Sequence, residues 1–461
     1  MTWLDQLQHQ SRQFRHRALD RHVRLGVTGL SGAGKTAFIT SLVHQLTQGD
    51  SPQNLPFFAV VQQGRYLGGQ LAAEQALTIP RFPYEHNLSF LQQATPQWPP
   101  STTGWSQLSL ALRYKAGQGL RSHLQSHSEL ELDIVDYPGE WLLDLPLLQL
   151  DYQQWCEFSW QLFAKPHRQA LAAAFSSVLA ATDLTDTSEQ QLQSLTEAYK
   201  NLLLQFSATA GTYLNQPGRL LVPGELAGAP MLQLLPLLPE QLSQNSALGK
   251  KLANHYQSYR DYVVKPFYKQ HFSQLDRQVV LVDCLSALNA GAAATAELSQ
   301  ALQLIMKSFH YGPSSMLRRL FKPKISKVLF AASKADHVTP EQHQALTLLL
   351  QSLLRQPLKQ TTYQLAKVEA MAIAALCASH AGYVELQGQK QPCITGIDSA
   401  NGEKINLFPG DVPATVPDAA VFSKHQFSFP SLQPLPLAMQ ANLPHIRMDH
   451  TLQFLLGDKL I

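Results

Sequence analysis

The sequence predicts an α/β protein: a mainly parallel sheet with one antiparallel edge strand, a large helical insertion, and a small C-terminal β-containing segment. Three observations predict it. The runs Val279–Val282, Lys327–Ala332 and Val368–Ala375 are continuously apolar and separated by helical stretches, as in a parallel sheet covered on both faces. A strand, a glycine-rich turn and a helix follow one another between residues 23 and 46. Residues 141–270 carry apolar positions three and four apart, around Leu171–Leu179 and Leu192–Phe206, with one break at Gln216–Gly224.

The elements follow in order. Trp3, Leu7, Phe14 and Ala18 form a narrow apolar stripe ringed by Arg12, Arg15, Arg17 and Arg21, so a helix is expected over the first twenty residues. That helix either makes peripheral membrane contact or packs its stripe on its own domain. Val23–Val27 is a strand and Lys35–Leu46 a helix, and 50–100 is irregular, with several prolines. Ser106–Tyr114 and Glu129–Val135 alternate at period two and pair as a hairpin. In the tail, Cys393–Ile397 and Lys404–Phe408 form a second hairpin turning at Asn401-Gly402, before a Pro-rich stretch at 409–444 and a helix at Met448–Leu456. The expected division is a discontinuous core at 1–140 and 266–384, a helical insertion at 141–265, and a C-terminal segment at 385–461.

Composition narrows the function. The chain has 461 residues, 45% of them hydrophobic, which excludes a wholly disordered protein. Charged residues make up 15%, against a usual ~25%, and the net charge of +3 argues against a nucleic-acid binder. The lack of a run of about 18 apolar residues, and an N-terminus without an apolar signal core, point to a cytoplasmic protein. Cys156, Cys284, Cys377 and Cys393 are too scattered for a zinc site or disulfide framework and are expected to be reduced and mostly buried. The 17 histidines show no metal-binding spacing and are expected on the surface.

Gly29-Leu-Ser-Gly-Ala-Gly-Lys-Thr36 matches the phosphate-loop pattern GxxxxGK[ST], flanked by the strand and helix that the motif needs. Backbone N–H groups of Gly29, Ser31, Gly32, Ala33, Gly34 and Ala37 would cradle phosphates. Lys35 would reach the β- and γ-phosphates, and the Thr36 hydroxyl would bind Mg²⁺. Asp136-Tyr-Pro-Gly139 follows the next apolar strand. Asp136 could hold the Mg²⁺ shell, and the Gly139 N–H could sense a γ-phosphate. Asp283, at another strand end, lacks the glycine and reads as a helix cap. Ser333-Lys-Ala-Asp336, with His337 beside it, stands where [NTS]KxD reads guanine: the Asp336 carboxylate accepts from N1 and N2, and the Lys334 stem covers the ring. Any one of the shorter motifs is weak, but three in this order, each after an apolar strand, indicate a nucleotide switch binding GTP and GDP with Mg²⁺.

The softer elements are Ser101, Thr102 and Thr103, of which Thr102 or Thr103 would close over Mg²⁺. Trp98 is either a lid over ribose or base, or a buried Trp in a Pro-rich loop. The contact to guanine O6 is expected from the loop that begins at Ile373. Glu140 stands where many GTPases place a water-orienting Gln. A carboxylate there either acts poorly beside the γ-phosphate or points away as an N-terminal helix acid. With Ser31 narrowing room for an arginine finger, slow turnover is expected.

These residues give the chain a resemblance to the bacterial YcjX-like family, stress-associated P-loop proteins once described only as predicted ATPases. The likeness rests on Val23–Thr36, Asp133–Trp141, Gln216–Gly224, Asp276–Asp283 and Leu455–Lys459. It implies a GTPase-like core with a helical insertion, a cytoplasmic location, and a link to envelope or heat stress. An unidentified protein partner is expected at the insertion. The rival readings are an ATPase or P-loop kinase, and a nucleotide-binding scaffold without turnover.

Overall fold

The computed structural model describes residues 21–30, 32–73, 79–101, 104–117, 127–309, 325–360, 367–386, 388–436 and 442–461. The expected helix at 1–20 lies outside them. Seven strands, β1 (His22–Gly29), β2 (Tyr66–Leu71), β3 (Ser106–Tyr114), β4 (Ser128–Asp136), β5 (Arg277–Val282), β6 (Lys327–Ala332) and β7 (Lys367–Ala372), form one sheet in the order β2-β3-β4-β1-β5-β6-β7. β1 is parallel to β4 and β5, and β5, β6 and β7 continue in parallel. The antiparallel strand is β3, but it is not the edge: β2 pairs antiparallel outside it. The span 50–100 is therefore not wholly irregular. β2 reads Tyr-Leu-Gly-Gly-Gln-Leu and is buried on neither face, so it carries no alternation.

The sheet is covered on both faces because its central strands are apolar on both. Val23, Leu25, Val27, Val279, Leu281, Leu329 and Ala331 pack on one side against α1 (Lys35–Thr47), through Phe38, Ile39, Leu42 and Val43. On the other side Val280, Val282, Val328 and Phe330 join a second core continuous with the helices between β4 and β5. Each such aliphatic side chain contributes about 1.5–3 kcal/mol through burial.

Those helices include α2 (Gly139–Leu143), α3 (Tyr152–Phe163), α4 (Pro166–Ala180), α5 (Glu189–Ala208) and α6 (Ala247–Tyr259). Asp151 and Gln154 close a capping box on α3, at 2.8 and 2.9 Å. Ser188 caps α5. Trp155, Tyr199, Phe206 and Tyr256 fill the interior. After β5 come α7 (Cys284–Asn289), α8 (Ala292–Phe309) and, beyond β6, α9 (His343–Gln360). The buried Arg168–Glu297 pair pins α4 to α8, and Glu297 also accepts the N–H groups of Tyr213 and Leu214. Burial works to raise the Glu297 carboxyl, but Arg168, Leu214 N–H and His167 hold it below its ordinary range.

β7 stops at Ala372 rather than reaching Ala375, because the chain there turns into the cavity described below. A second sheet follows, antiparallel in the order β10-β9-β8: β8 (Ser379–Leu386), β9 (Gln389–Ile397) and β10 (Lys404–Leu407). The tail hairpin is β9–β10, and β8 is a third strand absent from the sequence reading. α10 (Met448–Leu456) returns to the main sheet, burying Met448, Leu452, Leu455 and Leu456 on the α1 side. Cys156, Cys284 and Cys393 are buried free thiols and Cys377 is half-buried. The histidines are not confined to the surface, since His44 and His337 are buried. Among the described residues no helix is long and apolar enough to cross a membrane.

Candidate functional site

A cavity of about 340 Å³ opens at the C-terminal ends of β1, β5 and β6. This is where ligands bind open α/β sheets. Gly29, Gly32, Ala33, Gly34, Lys35, Thr36 and Ala37 line one end. Gly32 and Gly34 have φ of 76° and 80°, the left-handed region that glycine enters without strain. Gly34 caps α1 without a side chain, so the positive end of the helix dipole borders the cavity. Ser31, Thr102 and Thr103 lie outside the described residues; Ser101 lines the cavity.

Asp136 ends β4 fully buried, and the Lys35 ammonium lies 2.6 Å from its Oδ1. Lys35 Nζ also donates to the Tyr137 carbonyl at 3.2 Å, and Thr36 Oγ1 to that of Pro100 at 3.4 Å. The turn after Asp136 is held from behind. Tyr137 donates its hydroxyl to Gln278 Oε1 at 2.8 Å, and burial raises that hydroxyl's pKa. Gly26 leaves the space Gln278 occupies, since a Cβ there would lie 2.5 Å from Oε1. Gly139 is pressed against the phosphate-loop turn: its Cβ would lie 2.3 Å from the Gly29 carbonyl oxygen. Glu140 lines the cavity, half-buried, in the first turn of α2.

The opposite end holds the second polar group. Lys334 takes a left-handed backbone, φ 62°, and reaches Asp283 Oδ2 at 2.5 Å. Asp283 caps α7 by accepting from Ser286 N at 2.9 Å, as read from the sequence. Burial works to raise the Asp283 carboxyl, but Lys334 and Ser286 hold it below its ordinary range. Asp336 is buried, accepts from Ala378 N at 2.6 Å, and lines the cavity with Lys334, His337, Ile373, Ala374, Ala375 and Leu376. The Ile373 carbonyl accepts from Ala335 N at 3.0 Å, binding this loop to the Ser333–Asp336 turn.

Trp98 is exposed at the cavity wall rather than buried in its Pro-rich loop, and it donates Nε1–H to the Leu432 carbonyl at 2.8 Å. Ser431 and Leu432 complete the lining, and no sequence motif marked them. They come from the Pro-rich stretch, where long-range contacts, not periodicity, set the backbone. Pro138 and Leu281 also went unread; their places follow from the two strand ends.

The mainly parallel sheet, with a glycine-rich turn leading from its central strand into a helix at a polar cavity, is a P-loop GTPase-like fold. The model of the YcjX-like family, DUF463, matches residues 23–460, and the chain belongs to that family. It is similar to a protein of Shewanella oneidensis named Ras-like GTPase YcjX, 43% identical over 99% of this chain and 98% of that one. A protein of the same name from Escherichia coli K12 is 39% identical over 96% and 97% of the two chains.

Proposed function

We propose that the chain is a Mg²⁺-dependent GTP-binding protein that hydrolyses GTP slowly and acts as a conformational switch. The observation that carries the reading is the meeting of Gly29, Gly32–Ala37, Pro138–Glu140, Lys334, Asp336 and His337 on one cavity of about 340 Å³, with Asp136 paired to Lys35 behind it. The names of the two relatives support it. The phosphates would lie over the N-terminus of α1, with Lys35 turning from Asp136 to the β- and γ-oxygens. The Thr36 hydroxyl and Asp136 carboxylate are hard oxygen donors suited to Mg²⁺, with Thr102 or Thr103 as the expected addition. Bound there, Mg²⁺ would neutralise charge on the β- and γ-phosphates. Asp336 would accept from guanine N1 and N2, the Lys334 stem would lie on the ring, and the loop from Ile373 would face O6.

Gly139 N–H would meet the γ-phosphate. Water attacks that phosphorus and GDP leaves with inorganic phosphate, so the Gly139 contact is lost and its turn is released. Glu140 repels the γ-phosphate rather than orienting water, which keeps the step slow. We further propose the division into a core at 1–140 and 266–384, an insertion at 141–265 that meets a protein partner, and a segment at 385–461. We propose also a cytoplasmic, stress-linked role, which rests on the resemblance to the family alone.

Titration with fluorescent GTP, GDP and ATP tests the base assignment. GTP should bind at least about a hundredfold tighter than ATP, and equal affinities overturn it. Asp336→Asn should shift preference toward xanthine nucleotides, which restore the lost donor–acceptor pairing. Phosphate release, absent in Lys35→Ala, should stay below about 10 s⁻¹ in the purified protein; a faster basal rate removes the slow-turnover reading, and none at all favours a scaffold.

A further inference from the structure

Within Phe429–Gln433, Ser431 and Leu432 line the cavity, and all five residues are tied by hydrogen bonds to its surroundings. Phe429 exchanges two hydrogen bonds with Asn289 at the end of α7: its N–H donates to Asn289 Oδ1 at 2.8 Å, and its carbonyl accepts from Nδ2 at 2.9 Å. The Pro430 carbonyl accepts from His337 Nδ1 at 2.8 Å. The Ser431 carbonyl accepts from Ser399 N at 2.9 Å, and Gln433 N donates to the Ile397 carbonyl at 2.8 Å, so this stretch is fastened to the end of β9. Leu432 packs with Ala378 and Ile394, and Ala378 is the residue whose N–H is held by Asp336. The Leu432 carbonyl takes the Trp98 indole N–H.

Ser431 and Leu432 line the cavity together with Asp336 and with Trp98, Pro99 and Ser101. Trp98, three residues before Ser101, is fixed to Leu432 by a directional bond and not by packing alone. A nucleotide held between Asp336 and the phosphate loop would lie beside Ser431 and Leu432, which line the same cavity.

We propose that Phe429–Gln433 is a retaining strap of the nucleotide site, and that the Trp98–Leu432 hydrogen bond latches it to the loop of Trp98, Pro99 and Ser101. Nucleotide release is then gated by opening of this strap. The inference rests on the guanine-nucleotide reading above and adds the element that controls exchange. Trp98 and Asn289 are positioning residues here, acting on the strap at its two ends.

The test measures release of fluorescent GDP from the full chain by chase with unlabelled GDP. The variants are Trp98→Phe, which keeps a ring and deletes the donor, and Asn289→Ala, which frees the far end and does not line the cavity. Losing one net hydrogen bond predicts release about two- to tenfold faster in Trp98→Phe, and losing two predicts about five- to 150-fold faster in Asn289→Ala, with the association rate changed by less than twofold. Release within twofold of the natural protein in both variants overturns the strap. Hydrogen exchange on the unaltered chain gives a second reading independent of variant folding. GDP should slow exchange at Ser431 N–H and Leu432 N–H, and unchanged exchange there overturns the proposal. If the unaltered chain binds no guanine nucleotide at all, the functional reading itself falls, a different result from binding with unaltered release.

Discussion

Replacing Gly139 with alanine would place a methyl group 2.3 Å from the carbonyl oxygen of Gly29 and 2.9 Å from its carbon. Ordinary contact begins near 3.4 Å, so the two backbones must part by about 1 Å. Gly29 cannot yield easily, because it ends a central strand whose register with Leu281 is fixed. The turn at Pro138–Gly139 must therefore retreat, taking with it the N–H expected to meet the γ-phosphate. A hydrogen bond to a charged group is worth about 1.5–3 kcal/mol, which is roughly a 10- to 150-fold loss of affinity for a GTP analogue. GDP lacks the γ-phosphate and should lose less than threefold, while overpacking costs the fold about 1–3 kcal/mol. Titrating fluorescent GDP and a non-hydrolysable GTP analogue into Gly139→Ala reads the ratio directly. An equal loss for both nucleotides, or none for either, refutes the idea that this turn senses the third phosphate.

Three further outcomes are expected. Lys35→Ala removes the cation beside fully buried Asp136, and breaking a buried pair costs about 3–5 kcal/mol; an unchanged melting temperature of the nucleotide-free variant would contradict the pairing. Gly218→Ala drives a Cβ to 2.4 Å from the Glu140 carbonyl oxygen, so it should destabilise by about 1–3 kcal/mol and change GTP-analogue affinity more than GDP affinity, and no change in either speaks against contact between that loop and α2. Asp144 is pushed up to about 7 by burial, against the pull of Tyr259, Gly218 N–H and Arg219. A folded carboxyl that keeps its proton above the unfolded value adds stability that is full below about pH 4 and is lost as pH rises through 7, by at most about 1.4 kcal/mol per pH unit. Urea unfolding of the natural protein and Asp144→Asn between pH 4 and 8 should show a difference that shrinks with rising pH, and a constant difference would refute it.

The parts of this fold legible in the sequence are those where one physical demand dominates. Val279–Val282 and Lys327–Ala332 are buried on both faces, and such strands must be continuously apolar. The phosphate loop was legible because positive φ at Gly32 and Gly34 demands glycine. β2 was not, since an edge strand buried on neither face imposes no pattern. β8 was hidden because the end of β7 is set by the turn into the cavity rather than by a change in residue character. Within the site, Lys35, Asp136, Lys334 and Asp336 announce themselves through spacing. The ion pairs Lys35–Asp136 and Lys334–Asp283 join residues 101 and 51 apart in the chain, which spacing cannot reveal. Ser431 and Leu432 are placed by contacts with Trp98, Ser399 and Ile394, each remote in sequence.

The pairing of β1 with β5 bears on how the chain reaches this structure. Arg24 N donates to Asp276 Oδ2 across 252 residues, and the whole helical stretch lies between those partners. Closing so long a loop costs entropy before any pairing repays it, and sheets built from such contacts form slowly. The helices from α2 to α6 pack onto one core, and β4 and β5 lie on either side of β1, so their collapse would shorten that search. On this topology the helical stretch would serve as an internal folding template, and substitutions deep inside it, far from any nucleotide, would be felt first as slow or failed closure of the central sheet.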